Sequence, residues 1–407
     1  MLNKDGAREL AYVVIIDGIE PIPGYDRVET AIVGGWHVIV QKGQFNVGDP
    51  AIYFEIDSRV PADKECFAFL EKRHYKVKTL KMCKTLSQGL LMHAEDFGWH
   101  IARTFDTVCI VDDEQISHFA NDESRFLTKK LGVTYADEED NSRKAPSVDK
   151  YKKMASRHQK LFKKPFIRWM MRHGWGRKVL FFLFGKKKDK KNGWPSWVQK
   201  TDEERVQNMP WILNSEKEWI ATEKIDGTST TFTMKRGKFG KKEFYVCSRN
   251  VCFDSIDKPC YYDTNVYWEM AKKYHMYEVL SKMLDCNPED EWITIQGETY
   301  GAGVQNRDYS IEDHDFAAFN MICSSCGRLG TIHMKMNMDI YGIPSVPIVE
   351  QGIKFTDKFA TVEDMLLWAE GNSKLDGLPR EGIVFRTEDG TQSFKAVSNA
   401  YLLKYHG

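Results

Sequence analysis

The stretch "WIATEKIDGTST", Trp219 to Thr230, restricts what this chain can fold into more than any other. Apolar and polar residues alternate up to Glu223-Lys224, the two-residue period of a half-buried strand. Asp226-Gly227 then breaks the run as a turn, and small hydroxyl residues follow. A lysine is thus delivered to the end of a strand. A carboxylate stands two residues on, beside a glycine that lets the backbone pass close to a neighbour. An unperturbed lysine, with a pKa of about 10.4, is a poor nucleophile at neutral pH. Surrounding cations and partial burial can lower it toward ~7–8, where it attacks. A single K-x-D-G arises often by chance, so its partners must be sought elsewhere in the chain.

At 407 residues the chain has the length of about two domains. Its 58 Lys and Arg balance 58 Asp and Glu, so only the distribution of charge can point to nucleic acid. No run approaches the ~20 apolar residues that span a bilayer. The opening "MLNKDGAREL" lacks the apolar core of a secretory signal, which places the protein in the cytoplasm or a nucleus. Nine scattered cysteines suggest reduced thiols. Cys323 and Cys326 have the spacing of a zinc pair, but a tetrahedral site needs four ligands, so a turn with free thiols stands beside that reading.

Residues 9 to about 95 read as short strands rich in Val, Ile, Tyr and Phe, separated by Gly, Pro, Asn and Asp. The pattern predicts a small all-β barrel, of which the OB-fold is one solution; a β-sandwich fits it equally. Residues 135 to 199 change character. From Lys150 to Lys191 the only acidic residue is Asp189, against sixteen Lys and Arg, with Phe166, Trp169 and Trp175 threaded between them. Such a segment suits a clamp on nucleic acid phosphates, a membrane-surface helix, or a linker packed by its aromatics. From Thr201 onward the pattern is mixed α/β. Strands are expected before Lys224, Arg249, Glu298 and Glu381. Asp263 or Thr264 should cap a helix through "VYWEMAKKYHMYEVLSKML", and Thr361 with Asp364 has the spacing of a capping box. The expected domains are 1–125 (OB-like), 126–199 (basic linker) and 200–407. The fold class is α+β.

After "EKIDG" come "SRN" (Ser248 to Asn250), "IQGETYG" with Glu298, "FAAFNM" with Phe316 and Phe319, "EGIVFR" with Glu381, and "SFKAVSN" with Lys395. This series, in this order, resembles the covalent nucleotidyltransferases, the superfamily of polynucleotide ligases and mRNA capping enzymes. Their domain is an ATP-grasp-like ligase fold of antiparallel sheets and helices. In them a lysine attacks the α-phosphorus of a nucleotide and pyrophosphate leaves.

The resemblance implies that Lys224 is the nucleophile and that Glu223 serves the adenine through its backbone, its side chain being free for an ion pair. Arg249 would hold phosphate or ribose with its planar donors. Glu298 would accept from ribose hydroxyls. Phe319 would stack on the base, with Phe316 the second candidate. Glu381 would organise a divalent metal, Mg2+ or Mn2+. Lys395 would neutralise charge on the α-phosphate. The sequence departs from the family at Phe319-Asn320, usually phenylalanine-aspartate. It departs again at "SFKAVSN", which has one lysine where many relatives have two; whether Lys404 or a serine compensates is open.

Capping enzymes and DNA ligases carry an OB domain after these motifs. Here twelve residues follow Lys395 and the barrel candidate comes first. That arrangement is similar to RNA ligases of the Deinococcus/Naegleria-type group. "PSWVQKTDEERVQNMPWIL" looks like that group's lead into the lysine, with Arg205 as a further nucleotide or metal-site contact, or a surface salt bridge. The resemblance implies an ATP-dependent RNA ligase, monomeric, which uses ATP as AMP donor and seals nicked or broken RNA, with no membrane association. Residues 1 to 120 would then be dispensable for adduct formation but needed for sealing. A capping or DNA-ligase activity, or a non-catalytic OB-fold RNA-binding protein, is the alternative.

Overall fold

The computed structural model describes residues 1–104, 107–112, 115–119, 125–136, 167, 170, 194–200, 202–249, 251–253 and 265–405. The basic segment 150–191 lies outside these but for Ile167 and Met170, as do Asn250, Asp263 and Thr264. The chain forms two compact units, Met1–Tyr135 with Trp194–Gly407, and Ala136–Gly193. Among the described residues no helix is long and apolar enough to cross a membrane.

The N-terminal region is built from short antiparallel strands, as the turn spacing predicts. Ala11–Ile15 pairs with Pro50–Phe54, which pairs with Leu90–Met92. Gly18–Pro21, Val28–Val33 and Trp36–Gln41 form a second sheet. The Val28–Val33/Trp36–Gln41 hairpin turns on Gly34 and Gly35, both at positive φ (55° and 78°), the backbone that a two-residue hairpin turn demands. Alternate side chains of these strands, including Tyr12, Ala31, Trp36, Val38 and Tyr53, bury one core. A second core gathers Ile52, Phe54, Phe67 and Leu70.

The C-terminal region is two antiparallel sheets. The four-stranded sheet has the order Ile348–Ile353, Trp219–Lys224, Gly382–Thr387, Ser393–Val397. The six-stranded sheet has the order Cys252–Phe253, Lys242–Cys247, Thr228–Arg236, Trp292–Gly301, His314–Cys323, Gly327–Arg328. Residues 225–227 carry the chain from one sheet to the other. The strand Trp219–Lys224 is buried on both faces, not half-buried: all its residues except Lys224 are buried. Trp219 and Ala221 pack on Phe355, Phe385 and Phe394. Its last three residues, Thr222, Glu223 and Lys224, line an internal cleft that sequence periodicity cannot distinguish from solvent.

The predicted helix through Val266 is two helices, Val266–Lys273 and Met276–Cys286, capped by the side chain of Asn265. His275, between them, takes φ 49°. Met270 and Met276 are both fully buried in one core; six residues apart, they would sit on different faces of a straight helix. Thr361 and Asp364 form the expected capping box of Val362–Ala369.

Candidate active site

Between the two sheets lies a cavity of about 320 Å³, within the range of small-molecule sites. Lys224, Glu223 and Lys395 line it from the four-stranded sheet, and Arg249, Glu298 and Phe319 from the six-stranded side. The sheets converge because Gly227 passes against strand Trp292–Gly301. A Cβ at Gly227 would lie 2.3 Å from the carbonyl oxygen of Thr299, so no other residue fits without moving that strand.

Register explains which side chains face the cavity. Ser229 is opposite Glu298, and Glu298 is opposite Ala317. Ala317 therefore shares Glu298's face, and a register shift between Gln296 and Gly297 leaves Phe319 as the extra residue of a bulge, from which its side chain lines the cavity. Phe316, on the other face, is fully buried and packs edge-on against Phe232 at 5.2 Å. Of the two aromatic candidates, Phe316 is core and Phe319 is wall. Glu298 sits within its strand and Glu381 immediately before its own, neither following a strand as the sequence suggested.

Lys224 Nζ donates to Glu381 Oε2 at 2.7 Å. Glu381 thus belongs to the site although it does not line the cavity. Burial works against the charge on Lys224, but Glu381, Glu298 and Asp226 outweigh it and raise the ammonium above its ordinary value. This corrects the cation-lined environment expected from sequence: carboxylates, not cations, dominate around the amine. Glu298 is pushed up to about 8 by burial and by Glu381 and Asp226, against the opposing pull of Lys224 and Arg249. Burial, with Arg205 and Lys224, pushes Lys395 below its ordinary value, and Asp202 opposes the shift.

Among the described residues Glu223 makes no ion pair. Its Oε2 accepts the backbone N–H of Lys374 at 2.8 Å, and its Oε1 is buried with no partner among the described residues. Its backbone N–H is already given to the carbonyl of Pro347 at 2.8 Å. Arg205 does not line the cavity. Its backbone bridges to Lys395, and its guanidinium faces the Trp36 ring.

Three wall residues escaped sequence reasoning. Asp202 pairs with both Arg249 (2.6 Å) and Lys395 (3.3 Å), bridging two cations assigned to the nucleotide. Arg386 pairs with Glu203 at 3.0 Å and lies 5.8 Å from the centroid of Phe319. It is a second cation on the Lys395 wall, whereas Lys404 is not part of that wall. The signals were present as "TDEER" and as the arginine that ends "EGIVFR", but neither run shows what it faces.

The turn itself is held from behind. Asp226 is buried, and its Oδ2 accepts the Tyr401 hydroxyl at 2.8 Å while its backbone N–H donates to Tyr309 Oη at 2.6 Å. Tyr401 belongs to the helix Asn399–Tyr405 and is fully buried. Arg307, in a buried pair with Asp376, lies over the Tyr309 ring at 4.1 Å.

Among the described residues no group of three or more His, Cys, Asp or Glu is placed to hold a metal. Glu381 and Glu298 can still serve a cation whose remaining ligands are phosphate and water oxygens, the usual habit of Mg2+. Both carboxylates act on the Lys224 amine, and Glu381 is bonded to it, so two oxygen donors stand at one end of the site and fit a divalent ion. Cys323 is buried and Cys326 exposed, and both are free thiols.

Comparison with known families matches residues 217–405 to the RNA ligase model and residues 10–94 to an OB-fold domain model. Residues 217–405 are thus similar to the RNA ligase family. The ligase domain and barrel together superpose on Naegleria gruberi RNA ligase. The form with PPi has a TM-score of 0.62 at 24% identity, over 98% of this chain and 99% of that one. A mutant form with ATP and Mn has a TM-score of 0.64 at 25% identity, over 98% and 100%. A form with AMP and Mn gives 0.63 and 24%, over 98% and 99%. No curated protein sequence matched the chain. The fold expected from sequence, an OB barrel followed by a mixed domain of antiparallel sheets, is the fold found.

Proposed function

We propose that the protein is an ATP-dependent RNA ligase that works through a lysyl-AMP intermediate. The observation that carries this is one cavity collecting Lys224, Glu298, Phe319, Arg249 and Lys395, with Glu381 bonded to the lysine, in a domain similar to the RNA ligase family. The Naegleria protein it resembles is an RNA ligase solved with ATP or AMP and Mn.

Lys224 Nζ, once deprotonated, forms a bond to the α-phosphorus, and the bond from that phosphorus to the pyrophosphate oxygen breaks. A 5′-phosphate oxygen of RNA then takes the adenylate from the lysine. A 3′-hydroxyl finally attacks the activated 5′ end, and AMP leaves. Phe319 stacks on the base. Glu223, with an unpartnered carboxylate oxygen, accepts from an amino group at the base edge, which adenine has at its 6-position and guanine lacks. Glu298 accepts from the ribose, and Arg249, Lys395 and Arg386 offer charge to the phosphates. Glu381, with Glu298 beside it, would hold the divalent ion, which supplies charge neutralisation at the phosphates.

The barrel supplies RNA contacts. Between Glu71 and Glu95 it carries Lys72, Arg73, Lys76, Lys78, Lys81 and Lys84 and no acidic residue. Such a run suits a phosphate backbone with salt-dependent affinity. Incubation with labelled ATP and Mg2+ should label the protein through an acid-labile, alkali-stable phosphoramidate bond, and Lys224→Ala should abolish the label. With a nicked RNA duplex the label should pass to RNA and the nick close. Preference for GTP would move the reading to capping, and absence of any adduct would leave an RNA-binding protein.

A further inference from the structure

The barrel reaches the ligase domain through the tip of its Val28–Val33/Trp36–Gln41 hairpin. A Cβ at Gly35 would lie 2.9 Å from Val362 and 3.2 Å from Leu366, so the tip sits flush on the helix Val362–Ala369. Beside it, His37 Nε2 is 3.3 Å from Glu363. Trp36, 1% exposed, presents its ring to Arg205, whose guanidinium carbon lies 5.7 Å from the ring centroid.

Arg205 is tied to the site by its backbone. Lys395 N–H donates to the Glu204 carbonyl at 2.7 Å, and Arg205 and Lys395 form a parallel bridge. Its Nη1 is buried with no hydrogen-bond partner among the described residues. A buried guanidinium without a bonded carboxylate is costly, and an aromatic face offsets part of that cost. The Arg205 charge adds to burial in lowering Lys395, and Arg205, itself lowered by burial, feels the carboxylates of Asp57 and then Glu381. The indole therefore borders a buried cation whose backbone is bridged to the Lys395 strand.

We infer that Trp36 is a positioning residue for adenylation: by holding Arg205 against the back of the Lys395 strand, the docked barrel sets the charge of the nucleotide site. This rests on the ligase reading above. It also reverses the expectation that the barrel is dispensable for adduct formation, because the barrel contributes the aromatic wall of a charge acting on Lys395 and Glu381.

The test is a double-mutant cycle in the full-length protein, read as the initial rate of adduct formation from labelled ATP. Trp36→Leu should slow the rate roughly fivefold to thirtyfold, while Trp36→Phe stays within about threefold of wild type. Arg205→Met, which keeps bulk and removes charge, should make Trp36→Leu silent. Thermal unfolding of each variant reports folding. If Trp36→Leu does not fold, Trp36→Phe carries the cycle, with a loss of about twofold to threefold that disappears beside Arg205→Met. Multiplicative losses at the two positions, or an unchanged rate in Trp36→Leu, would overturn the inference. So would an equal loss in Trp36→Leu and Trp36→Phe. An adduct with independent losses removes this inference alone, whereas no adduct from the wild-type chain removes the ligase reading and this inference with it.

Discussion

Lys224 and Glu381 meet at 2.7 Å across two neighbouring strands, because Lys224 is paired with Gly382, the residue after Glu381. The proposed nucleophile is thus held as an ammonium on the carboxylate that a metal would need. The ion pair and the metal compete for one group, so lysine deprotonation and metal binding favour each other. The adduct rate should rise with pH through the alkaline range, since the attacking amine must lose a proton that Glu381 helps to retain. Glu381→Gln should lower the lysine's pKa and make Lys224 more reactive toward an acylating reagent at neutral pH. The same substitution should slow adduct formation by roughly a hundredfold through the lost charge control at the phosphates. Mass spectrometry of acylated Lys224 beside the adduct assay checks both arms, and parallel losses would contradict the competition.

Glu298 gives a stability signature. Its carboxyl is raised to about 8 in the folded protein, mainly by burial, against about 4.3 in an unfolded chain. The folded state binds the extra proton between these values, so stability should decline as pH rises from about 4.5 to about 8 and level off above. Glu298→Gln should flatten that slope. Urea midpoints across this range, without nucleotide or metal, measure it; an unchanged slope in Glu298→Gln would contradict the assignment.

Tyr401 ties the catalytic turn to the last helix through Asp226. Tyr401→Phe keeps the ring but leaves a buried carboxylate oxygen short of its donor. A hydrogen bond to a charged group is worth ~1.5–3 kcal/mol, and chemical denaturation should show a loss of that order. The adduct rate should fall as well, because Asp226 sits two residues from Lys224. A full-strength rate with lowered stability would make the tyrosine a structural tie only.

Asp202 spans Arg249 and Lys395 with a carboxylate where a phosphate would bring its own negative charge. Asp202 and Arg249 are both more than half exposed, so the bridge is weak. Asp202→Asn should lower the KM for ATP by no more than about fivefold and leave the rate at saturating ATP unchanged. A raised KM would mean that Asp202 contacts nucleotide or metal directly.

Chain order carried the chemistry: Lys224, Glu298, Phe319, Glu381 and Lys395 were legible because each sits in a short run of fixed local pattern. What separates Phe319 from Phe316 is a register shift of the strand at Phe319, which no local pattern announces. The covalent sequence therefore determined the two folds, their order and most of the residues of the site. Only tertiary structure decided what those residues face. Lys224 rests on Glu381 across 157 positions, Asp202 closes on Lys395, and Trp36 of the barrel shelters Arg205 of the ligase domain. Each is a contact between elements remote in sequence, fixed by how buried sheets pack rather than by any local propensity, and so no window of residues contains it.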